Sequence, residues 1–273
     1  NGRAVRPPCS PTAVQSDRPV SASVKLLRSR YLSNTTLTSP PMDNASSDKP
    51  VSDDVASDAK TRAHALARAL LSIDAVVLQP ADPFTWSSGR RAPIYCDNRR
   101  TLGVPSVRNA ICDGFAEIVA AHALGPATWV GTATAGIPHA AWLADRLNQP
   151  MAYVRSSAKS HGRQNQIEGM VTAGDEVVIV EDLISTGGSA LAAVDALRSA
   201  GTHVRAVLAI FTYGLDAAAD AFREANVPLY TLTDYDTLID VARSRGAVSD
   251  DELETLRNWR RDPAAWSEQQ SAR

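Results

Sequence analysis

Residues 177–189 constrain this chain more than any other stretch. Val177-Val178-Ile179-Val180 runs into Glu181-Asp182, and then into Leu183-Ile184-Ser185-Thr186-Gly187-Gly188-Ser189. Four β-favouring apolar residues in a row read as a strand buried on both faces. An Ala/Leu/Val pattern at helical spacing follows over 190–197, so strand, sharp turn and helix succeed one another. A helix N-terminus presents unpaired backbone N–H groups, and glycines let an anion approach them closely. The carboxylates of Glu181 and Asp182 can accept hydrogen bonds from sugar hydroxyls, while the amides and hydroxyls of 185–189 cradle a phosphate. A phosphorylated sugar satisfies both. An acid at a strand end and a Ser/Thr N-cap are also ordinary structural devices, so the reading rests on the whole string. The Gly-Lys-Ser/Thr of a Walker loop is missing, and so is the Gly-x-Gly-x-x-Gly of a dinucleotide fingerprint.

The rest of the chain agrees with an α/β domain. Its 273 residues are 44% hydrophobic and 21% charged, enough for one domain with a sizeable core. A net charge of −2 argues against bulk nucleic-acid binding, and no apolar run approaches the ~20 residues of a membrane span. Cys9, Cys96 and Cys112 are too scattered for a disulfide framework or a metal site, which points to a reducing compartment, the cytoplasm. Residues 1–56 are Ser- and Pro-rich without periodicity and are expected to form a disordered arm. Residues 1–41 hold Arg3, Arg6, Arg18, Lys25, Arg28 and Arg30 against the single acid Asp17. That bias suits a transit peptide, although Met42 would make a natural translation start, with the preceding residues an over-extended reading frame.

Helices and strands alternate from residue 58. The patterning predicts a helix over 58–71, strands at 76–79, 84–86 and 94–97, and a helix over 106–123. A strand at 127–132, a helix at 138–147 and a strand at 151–154 come next. The strand at 177–180 and its helix are followed by a strand at 203–212, a helix at 215–225, a strand at 228–232 and two closing helices. Alternation of this kind implies a central parallel sheet flanked by helices, with ligands bound beyond the carboxyl ends of its strands. The expected organisation is a domain over 57–262, including a small N-terminal hood at about 76–100, and a tail over 263–273.

Three further segments carry chemistry. Phe84-Thr85-Trp86-Ser87-Ser88-Gly89-Arg90-Arg91-Ala92-Pro93-Ile94-Tyr95-Cys96-Asp97-Asn98-Arg99 reads as a polar hairpin turning at Ser88-Gly89, or as a hood over a flat ring. Gly131-Thr132-Ala133-Thr134-Ala135-Gly136-Ile137-Pro138-His139 links a predicted strand to a helix, and its amides can receive a second anion. The cationic stretch 155–169 includes Arg155, Lys159 and His161. It reads as a solvated charge run or as an anion-binding loop, in which Arg155 would fork onto phosphate oxygens. Lys159 and His161, two apart, project the same way in an extended loop. The remaining histidines show no metal-ligand spacing, and Trp259 and Trp266 read as packing residues.

The 177–189 string resembles the phosphoribosyl-pyrophosphate (PRPP) loop of the type I phosphoribosyltransferases. The 84–99 string is similar to the N-terminal signature of the orotate phosphoribosyltransferases, which the purine enzymes lack. The resemblance spans roughly residues 60–260, with four motifs in family order. It implies a type I phosphoribosyltransferase fold and transfer of a 5-phosphoribosyl group from PRPP to orotate, giving orotidine 5′-monophosphate and pyrophosphate. PRPP would be held by Arg155, Lys159, His161, Glu181, Asp182, Leu183, Ile184, Ser185, Thr186, Gly187, Gly188 and Ser189. Orotate would meet Ser185, Ser88, Gly89 and Tyr95, and pyrophosphate the Thr134-Ala135-Gly136 loop. Lys159, His161 and Asp182 would be catalytic, and Mg²⁺ would arrive with PRPP without a dedicated protein ligand. The resemblance further implies a homodimer in which the 155–169 loop reaches into the neighbouring subunit's site.

Some family members carry a Lys where this chain has Ser87 and Ala135. Some carry an orotate-contacting Arg near the end of the strand that here reads Phe211-Thr212-Tyr213. The orotate carboxylate must then be held by other groups, such as hood amides or Ser185. A phosphoribosyltransferase for another base and a non-catalytic PRPP-sensing regulator are the alternative readings.

Overall fold

The structure is a computed structural model in which residues 51–86, 88–156 and 166–271 are described, 51–57 by their backbone alone. They lie within a unit spanning Pro50–Arg273. Helix α1 (Val51–Ser72) begins two turns before the expected residue 58, so the helix takes in the last residues of the arm expected to be disordered over 1–56. Its Leu66, Ala67 and Leu70 are buried. Two small antiparallel pairs form the hood: β1 (Val76–Leu78) with β4 (Ile94–Cys96), and β2 (Phe84–Thr85) with β3 (Arg91–Ala92). A 3₁₀ helix (Asn98–Gly103) joins the hood to α2 (Pro105–Ala121), started by a proline that fits the first helical turn.

The main sheet contains β5 (Thr128–Thr132), β6 (Met151–Val154), β7 (Ile167–Glu168), β8 (Glu176–Ile184), β9 (His203–Thr212) and β10 (Leu229–Asp234). Their order is β10-β9-β8-β5-β6-β7, parallel throughout except for the edge strand β7. Helix α3 (Gly136–Leu147) connects β5 to β6, α4 (Gly188–Ser199) connects β8 to β9, and α5 (Asp216–Glu224) connects β9 to β10. Along β8, Val178 and Val180 pack into one apolar layer with residues of α1, α2 and α3, and Val177 and Ile179 into the opposite layer with α4 and α5. All four are fully buried, each contributing about 1.5–3 kcal/mol. The period-two alternation of side chains thus supplies two cores from one apolar run.

Three helices close the chain where two were expected: α6 (Tyr235–Ser244), α7 (Asp250–Arg261) and α8 (Pro263–Ser271). A capping box at Ser249 and Glu252 starts α7, with three acids in its first turn and Arg260 and Arg261 in its last. The stretch expected as a tail is α8. It belongs to the folded unit because Trp266 and Ser267 are buried and the Ser267 hydroxyl accepts a 2.8 Å hydrogen bond from the backbone N–H of Arg91. Trp259 and Trp266 are packing residues, as their type suggested.

Candidate active site

The chain leaves β5 for β6 on one side and β8 for β9 on the other, so the crevice between β5 and β8 is a topological switch point. The β5–β8 ladder ends at Gly131 opposite Val180, while β8 continues beside β9 as far as Ile184 opposite Thr212. Glu181 and Asp182 therefore sit inside strand β8, not beyond its end, and line the gap that β5 vacates. Helix α3 opens on one side of this gap and α4 on the other. Neither N-terminus is capped by a side chain: Ala135 and Gly187 occupy the cap positions. The first amides of both helices remain available to anions.

Glycines make this crowding possible. A Cβ on Gly136 would stand 2.2 Å from the carbonyl oxygen of Val180 and 2.6 Å from the Thr132 hydroxyl. Gly187 adopts φ +85°, and a Cβ there would stand 2.8 Å from the Phe222 ring. The N-terminus of α3 rests directly on β8 in consequence. The Ala133–Thr134 peptide that precedes α3 is cis.

Glu181 is 6% exposed. One of its carboxylate oxygens accepts the Asp182 backbone N–H at 3.1 Å, and Oε2 has no hydrogen-bond partner among the described residues. Burial raises its pKa to about 7, opposed by the polar Thr132 side chain and reinforced by the neighbouring Asp182. Burial likewise raises the pKa of Asp182. Two adjacent desolvation penalties leave an acidic pair that gains from any hydroxyl or cation brought to it.

Asn98 is buried and donates from Nδ2 to the Asp182 carbonyl at 2.7 Å. The Asn98 backbone carbonyl accepts the Thr101 hydroxyl at 2.6 Å, and that hydroxyl lies 3.5 Å from Nε2 of buried His139. Burial lowers the His139 pKa to about 4, so the ring is neutral. Residue patterning assigns Asn98 no role; its place immediately after Asp97 at the hood's end was the available signal.

The structure distributes the predicted residues unevenly. Ser185, Thr186, Gly187, Gly188 and Ser189 form the turn into α4 as expected. Ile184 is buried in the layer with α4 and α5 and offers a ligand only its backbone, whereas Leu183 is half-buried against the opposite layer. Thr134, Ala135 and Gly136 lead into α3. Arg155 follows β6, its Nη1 3.8 Å from Glu168, and it shares a cavity of ≈ 200 Å³ with Ala133 of the α3 loop and Ser189 of the α4 turn. Arg155 is thereby brought to Ser189 of the α4 turn and to the residue preceding Thr134, while Thr134, Ala135 and Gly136 do not line this cavity. Ser88 and Gly89 (φ +81°) make the exposed tip of the β2–β3 hairpin, closed by Gly89 N–H donating to the Trp86 carbonyl at 2.8 Å. Tyr95 is 44% exposed and tilts against Phe84. The hood residues that line a cavity with Ser185 and Thr186 are instead Trp86, Arg90 and Arg91. Lys159 and His161 lie outside the described residues. Among the described residues no cluster of three or more His, Cys, Asp or Glu could hold a metal ion, and no helix is long and apolar enough to cross a membrane.

A phosphoribosyl transferase domain model matches residues 108–229. The orotate phosphoribosyltransferase of Halalkalibacterium halodurans is 56% identical over 202 residues, covering 74% of this chain and 96% of its own length. That of Bacillus caldolyticus is 57% identical over 203 residues, covering 74% and 98%. The chain belongs to the orotate phosphoribosyltransferase family. Among solved structures, the orotate phosphoribosyltransferase of Aeropyrum pernix matches with a TM-score of 0.59 at 33% identity, over 67% of this chain and 99% of that one. The Mycobacterium tuberculosis orotate phosphoribosyltransferase, solved in complex with PRPP, matches with a TM-score of 0.51 at 25% identity, over 65% and 98%. In this member of the orotate phosphoribosyltransferase family, residues 108–229 contain β5, α3, β8 and α4, so the matched region includes both loops that face the acidic pair.

Proposed function

We propose that this chain transfers the 5-phosphoribosyl group of PRPP to orotate, giving orotidine 5′-monophosphate and pyrophosphate, a step of UMP biosynthesis. The observation that carries the reading is the desolvated Glu181–Asp182 pair set between two helix N-termini without side-chain caps. That arrangement offers acceptors for the ribose hydroxyls at the centre and anion sites for the 5′-phosphate and pyrophosphate on either side. The turn at 185–189 takes the 5′-phosphate. The Thr134-Ala135-Gly136 amides and Arg155 take pyrophosphate.

Pyrophosphate leaves the anomeric carbon as a ring nitrogen of orotate bonds to its opposite face, through a transition state of oxocarbenium character. No protein nucleophile is needed, so the protein's contribution is positioning and electrostatics. Glu181 and Asp182 favour positive charge developing on the sugar. Lys159 and His161 offset charge on the departing pyrophosphate, acting in trans on the neighbouring subunit of a homodimer. Mg²⁺ would enter on the phosphates of PRPP without a dedicated protein ligand, and the Glu181–Asp182 pair, with Glu181 Oε2 unpartnered, suits a positive charge brought near it. So held, Mg²⁺ would supply neutralising charge to the pyrophosphate oxygens. Free thiols at Cys96 and Cys112 suit a reducing cytoplasm.

The test is pyrophosphate release from PRPP and Mg²⁺ with orotate, uracil, hypoxanthine or adenine offered separately. Release with orotate alone is the expected result. Release only with another base would remove orotate, and none with any base would remove the transfer reaction.

A further inference from the structure

The cavity beside Ser185 and Thr186 holds a cation to which the transfer chemistry assigns no role. Orotate differs from uracil by one carboxylate, so a site that selects orotate needs a fixed donor where that carboxylate lies. Four arginines border this ≈ 230 Å³ space: Arg90, Arg91, Arg260 and Arg261. Arg90 is exposed in the hairpin turn. Arg91 donates to the Thr85 hydroxyl at 3.1 Å and faces Asp82 at 4.0 Å. Arg261 donates to Asn258 on its own helix at 3.0 Å.

Arg91 and Arg260 have equally exposed side chains, but Arg260 is fixed by three hydrogen bonds and Arg91 by one. Its Nε and Nη2 donate to the two carboxylate oxygens of Asp236 at 3.1 and 2.8 Å, and Nη1 donates to the Gly214 carbonyl at 3.4 Å. A guanidinium has five N–H donors in a rigid fork. These contacts use three, leaving one N–H on each of Nη1 and Nη2 without a partner among the described residues. The side chain is 31% exposed. An aromatic stack sets its position: Trp86 lies on Tyr213 at 5.6 Å and 29°, and Trp259, next to Arg260, meets Trp86 edge-on at 5.9 Å. The hood, the end of β9 and the end of α7 are thereby locked together around one cavity. Asp236 offsets part of the charge, which leaves a directed hydrogen-bond fork in place of a diffuse attraction.

We propose that Arg260 anchors the orotate carboxylate, with Trp86 as the aromatic wall of the base pocket, and so sets the preference for orotate over uracil. The identity of the ligand rests on the phosphoribosyl-transfer reading; the anchor geometry does not.

Orotidine 5′-monophosphate and uridine 5′-monophosphate differ only in the carboxylate, so their dissociation constants, measured by calorimetry on wild type and Arg260→Ala, isolate it. Wild type should bind the orotidine nucleotide more tightly. Arg260→Ala should weaken that nucleotide roughly 10- to 100-fold, the usual effect of losing a charged hydrogen bond, and the uridine nucleotide less than about threefold. Parallel weakening of both would mean a structural role and overturn the proposal, as would an unchanged preference or a wild type that shows none. If Arg260→Ala fails to fold, Arg260→Lys carries the same comparison. It keeps the charge without the fork, and a preference equal to wild type would overturn the proposal. Wild-type pyrophosphate release with orotate is measured alongside. Its absence would count against the reaction, whereas normal turnover with an unaltered nucleotide preference in the variant would count against Arg260 alone.

Discussion

The side-chain amide of Asn98 donates a 2.7 Å hydrogen bond to the backbone carbonyl of Asp182. This bond ties the end of the hood to the strand that carries the acidic pair, from an asparagine that is only 1% exposed. Asn98→Ala should leave that carbonyl unpaired and cost about 1–3 kcal/mol of stability. If the bond also sets the direction of Asp182, kcat/KM for PRPP should fall about tenfold at a temperature where the variant remains folded. Thermal melts and initial rates on one preparation separate the two effects, and unchanged rates in a destabilised variant would confine Asn98 to the fold.

Glu181 predicts a pH signature. Burial holds its pKa near 7 in the free protein, well above the ordinary value. The unfolded chain ionises first, so Glu181's contribution to stability is full below about pH 4.5 and is lost as pH rises through about 7. Ligand hydroxyls and Mg²⁺ favour the ionised form, so kcat/KM for PRPP should drop as pH falls below about 7. Glu181→Gln should remove both slopes. A pH-rate profile of wild type without an inflection in that range would contradict the assignment.

Lys159→Ala should lower kcat about 10²–10³-fold, the usual effect of removing one charge-stabilising group, with an unaltered melting temperature. If the loop acts in trans, mixing Lys159→Ala with Asp182→Ala subunits should restore part of the activity through hybrid dimers. No recovery after demonstrated subunit exchange would place Lys159 in its own subunit's site.

Glycine substitutions should separate steric necessity from backbone conformation. Gly89 has φ +81°, but a methyl group there would meet open space, so Gly89→Ala should cost about 1–2 kcal/mol. At Gly136 the clash is with the Val180 backbone, which cannot yield, and Gly136→Ala should cost about 3 kcal/mol or more. Chemical denaturation gives both numbers, and equal costs would mean that α3 can retreat from β8.

Local patterns made much of this legible. The apolar run at 177–180 specified a buried strand because both faces had to be covered, and the glycines after it specified a turn into a helix. The strand's true extent was hidden: Glu181 and Asp182 look like the end of a strand, yet pairing to β9 continues because only β5 stops. The α8 helix was missed because Pro263-Ala264-Ala265 has little amphipathic pattern and is held by Trp266 and Ser267 against the rest of the fold. Trp86, Tyr213 and Arg260 come from three distant segments, and only tertiary packing brings them to one cavity.

The hydrogen bond from Arg91 to Ser267 joins positions 176 residues apart. The turns into α3 and α4 both precede Ser267 in the chain by more than one strand–helix unit. The hood is already tied to β8 through Asn98 and stacked on Tyr213 through Trp86, and the Ser267 contact adds the last of these fastenings. Cleavage between α7 and α8 would therefore free the β3 edge of the hood while leaving Trp86 on Tyr213 and Arg260 on Asp236 in place.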